Sequence, residues 1–521
     1  MSFWQKLSSS TLVSKFEIYG VTADKHRLKM KETNINGWRL DDNGRIHRYR
    51  EKLYPNGESY QGEFVNGVRD GHGKLVTSGG TKIYTGQFVN GLYHGPGTIE
   101  WLPCIEHNKP IKGRKFKGVF HRGIREGAGE YHDEIGNIWM GEWKNDFFTG
   151  EGILTKSNGE HYEGTWLKGN LHCEKATIKY INGDSYDGAM VYGKRHGEMG
   201  YLSYSKGQGS YVGQFVNGRR HGIGTRHFQD KWYRGEFQDN EIAGEGNMHY
   251  TSDLGPYHQY KGQWLNGVFH GKGELVFKKK HKVATTYTGS FQNGYMHGHG
   301  IIHYKNGGLY EGEFVSPSIS TTSFKHNVST FKDIPCVGNR HGYGIRVWPS
   351  GNKFEGTWED DQMVQGLFHD VKTCSKYNGL FLNNMKDGHG REVWHSPNGK
   401  DFRDPCLGWI HRGSGQCQYE GDYRNGLFHG MGKFVSPDGR SYEGEWKDGK
   451  QNGKGNATLL GRHERGNADK MHIGRNGSLY RPFQYTGKWE NGVRQGVGEI
   501  LYLGGTTKKG VFDDGAWKVE S

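Results

Sequence analysis

From about residue 60 onward, apolar and polar positions alternate with a period of two in short stretches. In Tyr60-Gln61-Gly62-Glu63-Phe64, a strand puts Tyr60, Gly62 and Phe64 on one face and Gln61 and Glu63 on the other. The pattern recurs in Tyr211-Val212-Gly213-Gln214-Phe215 and in Tyr442-Glu443-Gly444-Glu445-Trp446. Each stretch is followed by Asn-Gly or a similar pair, then His-Gly-x-Gly or a variant, then a short run such as Lys74-Leu75-Val76. Asn-Gly between alternating runs signals a β-hairpin, because both residues tolerate positive φ. The pattern therefore predicts one hairpin per unit, with the first turn in Asn66-Gly67 and Asp70-Gly71-His72-Gly73. The central glycine leaves a hole in the aromatic face, and a ring from a neighbouring hairpin is expected to fill it. No helical period of useful length is present.

Units open at Tyr60, Tyr84, Phe116, Trp139, Tyr162, Tyr186, Tyr211, Tyr233, Tyr260, Tyr287, Tyr310, Phe354, Tyr377, Tyr419, Tyr442 and Tyr485, mostly 22 to 27 residues apart. A half-unit near Lys508, with Gly510 and Phe512, closes the series before any return strand. Such a period marks a repeat array, one structure rather than a string of domains. The predicted fold is all-β: an elongated, twisted, single-layer antiparallel sheet of stacked hairpins. Residues 1–57 read as an irregular, basic N-terminal cap, 58–315 and 338–515 as the two parts of the array, and 516–521 as a tail. The segment 316–337 falls inside one unit, at its hairpin tip. Three further insertions, Trp101–Lys115 and those near 395–418 and 456–484, join consecutive hairpins and so project from the opposite rim. Their length also leaves room for a degenerate unit.

The repeated phrase resembles the MORN repeat (membrane occupation and recognition nexus), whose usual form is close to Y-x-G-x-W/F-x-x-G-x-x-x-G-x-G. Tyr442-Glu443-Gly444-Glu445-Trp446-Lys447-Asp448-Gly449-Lys450-Gln451-Asn452-Gly453-Lys454-Gly455 follows it closely, and the resemblance covers roughly residues 58–515. The unit at Tyr162 departs from it, with Leu171-His172-Cys173-Glu174 in place of the second glycine pair. The resemblance implies an architecture shared by ciliary radial-spoke-head components, protist cytoskeletal scaffolds, junctional membrane proteins and arrays attached to lipid kinases or methyltransferases. It does not imply a single activity.

Composition refines this picture. Hydrophobic residues make up only 33% of the chain and mean hydropathy is −0.87, values that usually accompany disorder. Here 13% of residues are aromatic and the 86 glycines sit largely at fixed repeat positions, so ring faces can be buried without a thick aliphatic core. The net charge of +13 favours acidic partners. Lys109, Lys112, Arg114, Lys115 and Lys117, and then Lys278, Lys279, Lys280 and Lys282, are the candidate contacts to an anionic partner such as a phospholipid surface. The competing reading is a solvated rim that keeps a long sheet soluble. Nucleic acid is disfavoured, because the aromatics recur where the fold needs them.

The six cysteines form no C-x-x-C pair, which fits a reducing, cytoplasmic setting. The N-terminus lacks a signal-peptide run, Ser2 excludes N-myristoylation, and no apolar stretch of about 18 residues occurs. His94, His196, His221, His270, His297, His341 and His429 share one slot, about 10 Å apart in a regular stack, too far for one tetrahedral zinc. No phosphate-binding loop, nucleophile elbow or zinc-protease motif is present. The expectation is a protein without catalytic, cofactor or metal residues. It would be a structural scaffold that bridges partner proteins in a cytoskeletal assembly such as a ciliary or flagellar axoneme, able to self-associate through its ends. The alternatives are a peripheral membrane tether and the regulatory subunit of an enzyme supplied in trans.

Overall fold

The computed structural model describes residues 38–40, 45–106, 109–253, 255–316, 338–395, 402–403, 410–411, 415–462, 472–473, 479–502 and 505–518. The chain divides into two compact units, Met1–Glu241 and Ile242–Ser521. Both are built of antiparallel strands that pair with their neighbours in sequence, and the described residues hold no α-helix.

In the first unit, the hairpin of Ser59–Val65 and Val68–Val76 shows the plan. Val65 pairs with Val68, so the turn is only Asn66-Gly67, both at positive φ (50° and 83°), as a two-residue type I′ turn requires. This corrects the longer turn expected from sequence. Asp70-Gly71-His72-Gly73 lies within the return strand. Phe64 pairs with Arg69 while Gly62 pairs with Gly73, so Asp70, Gly71 and His72 bulge opposite Glu63. Gly71, at φ +95°, absorbs the bulge, and Glu63 accepts a bond from the His72 amide (3.3 Å).

Pairing brings the glycines into a stripe. Gly62 faces Gly73, Gly73 faces Gly86, and Gly86 faces Gly97. The stripe continues through Gly118, Gly129, Gly141, Gly152 and Gly164, and later through Gly188, Gly200, Gly213, Gly224 and Gly235. Ala176 interrupts it opposite Gly188. The second unit repeats the arrangement, for example across Gly262, Gly273, Gly289 and Gly300 and across Gly421, Gly432, Gly444 and Gly455.

In most hairpins the ring that fills the glycine notch is the hairpin's own opening aromatic, usually tyrosine, not a neighbour's as expected. A Cβ on Gly73 would stand 2.5 Å from Tyr60 Cε2, and Tyr60 is wholly buried. Its hydroxyl donates to the Glu63 carbonyl at 3.0 Å. The same bond recurs at Tyr84, Tyr186, Tyr211, Tyr260, Tyr287, Tyr310, Tyr377, Tyr419, Tyr442 and Tyr485. The neighbouring rings pack edge-on instead. Tyr60 meets Phe64 of its own strand and Phe88 of the next hairpin, both at 5.0 Å and nearly perpendicular. Such pairs contribute about 0.5–1.5 kcal/mol each beyond their area.

Two units of the first half break the rule. Phe148 covers Gly152 in place of Trp139, and Leu171 approaches Gly164 while the Tyr162 hydroxyl turns to Lys156 and Glu160.

The ends differ from expectation. Residues Ile46–Leu53, read as irregular, form a strand that pairs along its length with Ser59–Val65, and Trp38–Leu40 pairs with its start. Arg50 takes the stripe position opposite Gly62, and its guanidinium covers Phe64 at 4.5 Å. The last half-unit does gain a return strand, Ala516–Lys518, and Trp517 lies over Gly510 where Lys508 supplies no ring.

The insertions form no further repeat units in the described residues. Cys104–Glu106 pairs with Lys109–Ile111, and Phe402–Arg403 with Ile410–His411, as separate small ladders. The insertion near 456–484 prolongs two array strands, which stay paired out to Arg462 and Tyr480. Val315 pairs with Asn339, so the insertion at 316–337 lies at a hairpin tip; beyond Ser316 it falls outside the described residues.

Candidate functional site

Two recurring positions join each hairpin to the next. The first lies nine residues after the opening aromatic, or at Arg340 where the insertion at 316–337 lengthens the Tyr310 unit, and was not singled out in the sequence, because its residue type varies. Arginines there reach across a turn. Arg340 donates from Nε to Asp361 Oδ1 (2.8 Å) and from NH2 to the Asp361 carbonyl (3.1 Å), with its guanidinium 4.4 Å from the Trp358 ring. Arg125 does the same to Asp146 over Trp143, and Arg195, Arg220 and Arg494 reach turn carbonyls of their next hairpins. Elsewhere an aromatic takes the place and stacks on the opening tyrosine, as Tyr93 does on Tyr84, Phe269 on Tyr260 and Phe428 on Tyr419, at 3.7–3.9 Å. The guanidiniums of Arg125, Arg195, Arg220, Arg340 and Arg494 also lie 5.4–5.8 Å from the opening ring of their own hairpin, so both solutions cover that ring, by cation–π contact or by stacking. The carbonyl of the position also accepts from the next turn, as in Gly91 N to Arg69 O (2.8 Å) and Gly218 N to Arg195 O (2.8 Å).

The second position follows directly and contains the repeated histidines. Where it is acidic, its carboxylate accepts the backbone N–H of the next turn: Asp70 from Asn90, Glu126 from Asn145 and Asp387 from Asn425, each at 3.0 Å. His196 uses Nδ1 in the same way toward Asn217, at 3.5 Å. His196 thus caps a turn as the carboxylates do. Among the described residues, no three His, Cys, Asp or Glu side chains converge as metal ligands would.

The basic candidates separate into used and exposed groups. Lys112, Arg114, Lys115 and Lys117 are exposed; Lys115 pairs with Glu100 at 2.7 Å, and Arg114 lies 5.2 Å from the Trp101 ring. Lys109 lies in the small insertion ladder. Lys278 is not a free rim charge, since its ammonium donates to the Ser252 and Gly255 carbonyls and closes that loop. Lys279, Lys280 and Lys282 are exposed, and the Lys279 carbonyl accepts from Lys305.

The titration shifts follow burial. Desolvation pushes the Tyr211 hydroxyl up to about 12, partly opposed by Arg220, and raises Tyr60, Tyr84 and Tyr310 further. Burial also lowers Arg226 and Arg346, whose guanidiniums lie 3.8 and 3.7 Å from the Tyr204 and Tyr304 rings. These groups all serve the packing of the sheet. No helix among the described residues is long and apolar enough to cross a membrane.

The MORN-repeat profile matches fourteen segments of the chain: 60–82, 84–101, 116–138, 139–161, 186–198, 211–232, 233–253, 260–282, 287–309, 338–353, 377–396, 419–439, 442–457 and 485–507. Together they cover more than half of the sequence. The units at Tyr162 and Phe354 lie outside these segments, although both form hairpins. Comparison with curated protein sequences gave no match. Among solved structures, the TCP10 domain of Danio rerio CPAP, in complex with a peptide of Danio rerio STIL, aligns over 59% of this chain and 88% of that one. Its identity is 10% and its TM-score 0.12, so it carries no argument about fold or function.

Proposed function

Because this chain belongs to the MORN-repeat family, we propose that it is a non-enzymatic scaffold that bridges partner proteins in a cytoskeletal assembly. The observation that carries this reading is the division of labour in each hairpin. One face is spent on the tyrosine–glycine core and the staples to the next hairpin, while the other face and the insertions differ from unit to unit. Such an array offers many distinct contact surfaces at fixed spacing. A ciliary or flagellar axoneme is the setting that analogy with radial-spoke-head relatives supplies. The test is extraction of the tagged protein from its native cell with non-ionic detergent. Retention with the insoluble cytoskeleton is the expected result, and release with soluble or membrane proteins would overturn the reading.

A second reading, a tether to anionic phospholipid, is supported by the exposure of Lys112, Arg114, Lys115 and Lys117. It requires salt-sensitive flotation with anionic liposomes that is lost on neutralising Lys112, Arg114 and Lys115.

A further inference from the structure

In the first unit, the five hairpins opening with Tyr60, Tyr84, Phe116, Trp139 and Tyr162 carry an apolar rim beside their turns. On the face opposite the tyrosines, Val68 is 46% exposed, Val89 41%, Leu92 48%, Ile124 36%, Phe147 51% and Leu167 39%. Register puts them in one row: Val65 faces Val68 and Val89 faces Leu92, Ile124 and Phe147 open their return strands opposite His121 and Lys144, and Leu167 ends its outgoing strand opposite Asn170. None is needed by the core, which lies on the other face. The next row inward holds Glu63, Asp70, Glu126 and Glu142 and no lysine or arginine, although the whole chain is strongly basic. The turn tips beyond the rim hold Arg122, Asp146 and Lys168, and Lys144 stands within the rim, paired with Phe147.

We propose that this rim docks one amphipathic α-helix of a partner protein, with lysine or arginine along the flank facing the acidic row. Two geometric arguments support a helix. Successive hairpins repeat every two strands, about 9.6 Å, close to the about 10.5 Å rise of a helical heptad. One apolar stripe with a heptad period therefore meets every hairpin of the row. Five hairpins span about 38 Å, which a helix of about 26 residues covers. The acidic row along one side of the rim sets the helix's rotation. The occupant is an α-helix of another protein; the described residues of this chain contain none. The inference rests on the scaffold reading and gives one partner site its chemistry.

The probe is a fluorescent 28-residue peptide with leucines at heptad spacing, lysines on one flank and glutamates on the other, titrated with the full chain and followed by anisotropy. Saturable binding is expected, weakened at least tenfold by Leu92→Glu with Phe147→Glu and by placing glutamate on both flanks. Circular dichroism and elution volume of the variant show that it stays folded. No binding, binding that survives the double substitution, or equal binding of the all-glutamate peptide overturns the proposal. So does a chain that self-associates, or floats with equimolar phosphatidylcholine–phosphatidylserine vesicles, only while Leu92 and Phe147 are intact. Detergent extraction of the wild type separates the two readings: retention of a chain that does not bind the peptide removes the helix site alone, whereas release removes the scaffold itself.

Discussion

Gly224→Ala should open one hairpin by forcing its tyrosine out of place. Gly224 has ordinary backbone geometry, so the substitution adds no φ strain and acts only through space. The new Cβ would stand 2.4 Å from Tyr211 Oη and 2.5 Å from Cε2. The ring cannot yield easily. It is wholly buried, its hydroxyl donates to the Gln214 carbonyl at 3.0 Å, and Phe215 and Phe237 hold it edge-on at 5.2 and 5.0 Å. Displacing it loses about 1 kcal/mol for the hydrogen bond and about 0.5–1.5 kcal/mol for each ring pair, in addition to overpacking. The total is about 3–5 kcal/mol, or roughly a hundred- to several-thousand-fold in the local opening equilibrium. Repeat arrays open locally, so the assay is amide hydrogen exchange in Val212–Phe215 and Ile223–Arg226. Two controls make it specific. Alanine at Gly159, which has φ +91° and open space around it, should cost only about 1–2 kcal/mol. Tyr211→Leu combined with Gly224→Ala should be little worse than Tyr211→Leu alone, because the clash has gone. If Gly224→Ala costs no more than the Gly159 control, or if the two substitutions simply add, the notch explanation is wrong.

Other perturbations probe separate parts of the structure. Arg340→Ala should raise exchange in the turn at Asp360-Asp361 by the loss of about 2 kcal/mol of charged hydrogen bonding, with Arg340→Lys recovering only part of it. Trp517→Ala should uncover Gly510 and Phe512 and fray the last strands without changing exchange near Tyr60, as read by the same method. Alkaline pH should loosen the array: burial raises the folded hydroxyl of Tyr211 from 10.0 to about 12, so its contribution is complete below pH 10 and is lost as pH rises toward 12. Tyrosinate absorbance and circular dichroism should then change together, and titration of the stripe tyrosines near pH 10 with the fold intact would refute their burial. At acid pH the sign reverses for Asp438. Burial raises its carboxyl, but Arg440 and Ser436 outweigh that and hold it below its usual value, so its contribution is present at neutral pH and is lost as pH falls below about 4. Asp438→Asn should remove that acid dependence from exchange in the turn at Pro437–Arg440.

The sequence alone determined the hairpin repeat and its faces. Period-two alternation placed Tyr60, Gly62 and Phe64 together, and Asn66-Gly67 announced a turn that needs positive φ twice, because both are local properties of the backbone. The register was not local. Only pairing shows that Gly73 stands between Gly62 and Gly86, and only then does a notch exist for Tyr60 to lie in. The spacing of His-Gly-x-Gly looked like a turn, yet the extra residues are taken up by a bulge in the return strand, which pairs on its other side with the next hairpin. Residues 46–53 lack the repeat phrase, but they pair because an open strand edge accepts any compatible backbone, and Arg50 can cover a ring as an aromatic would. The position nine residues after each tyrosine was hidden for a related reason. Arginine, phenylalanine and tyrosine share no letter in a sequence motif, but all present a flat group to the same ring, and that equivalence becomes visible only when the hairpins are stacked.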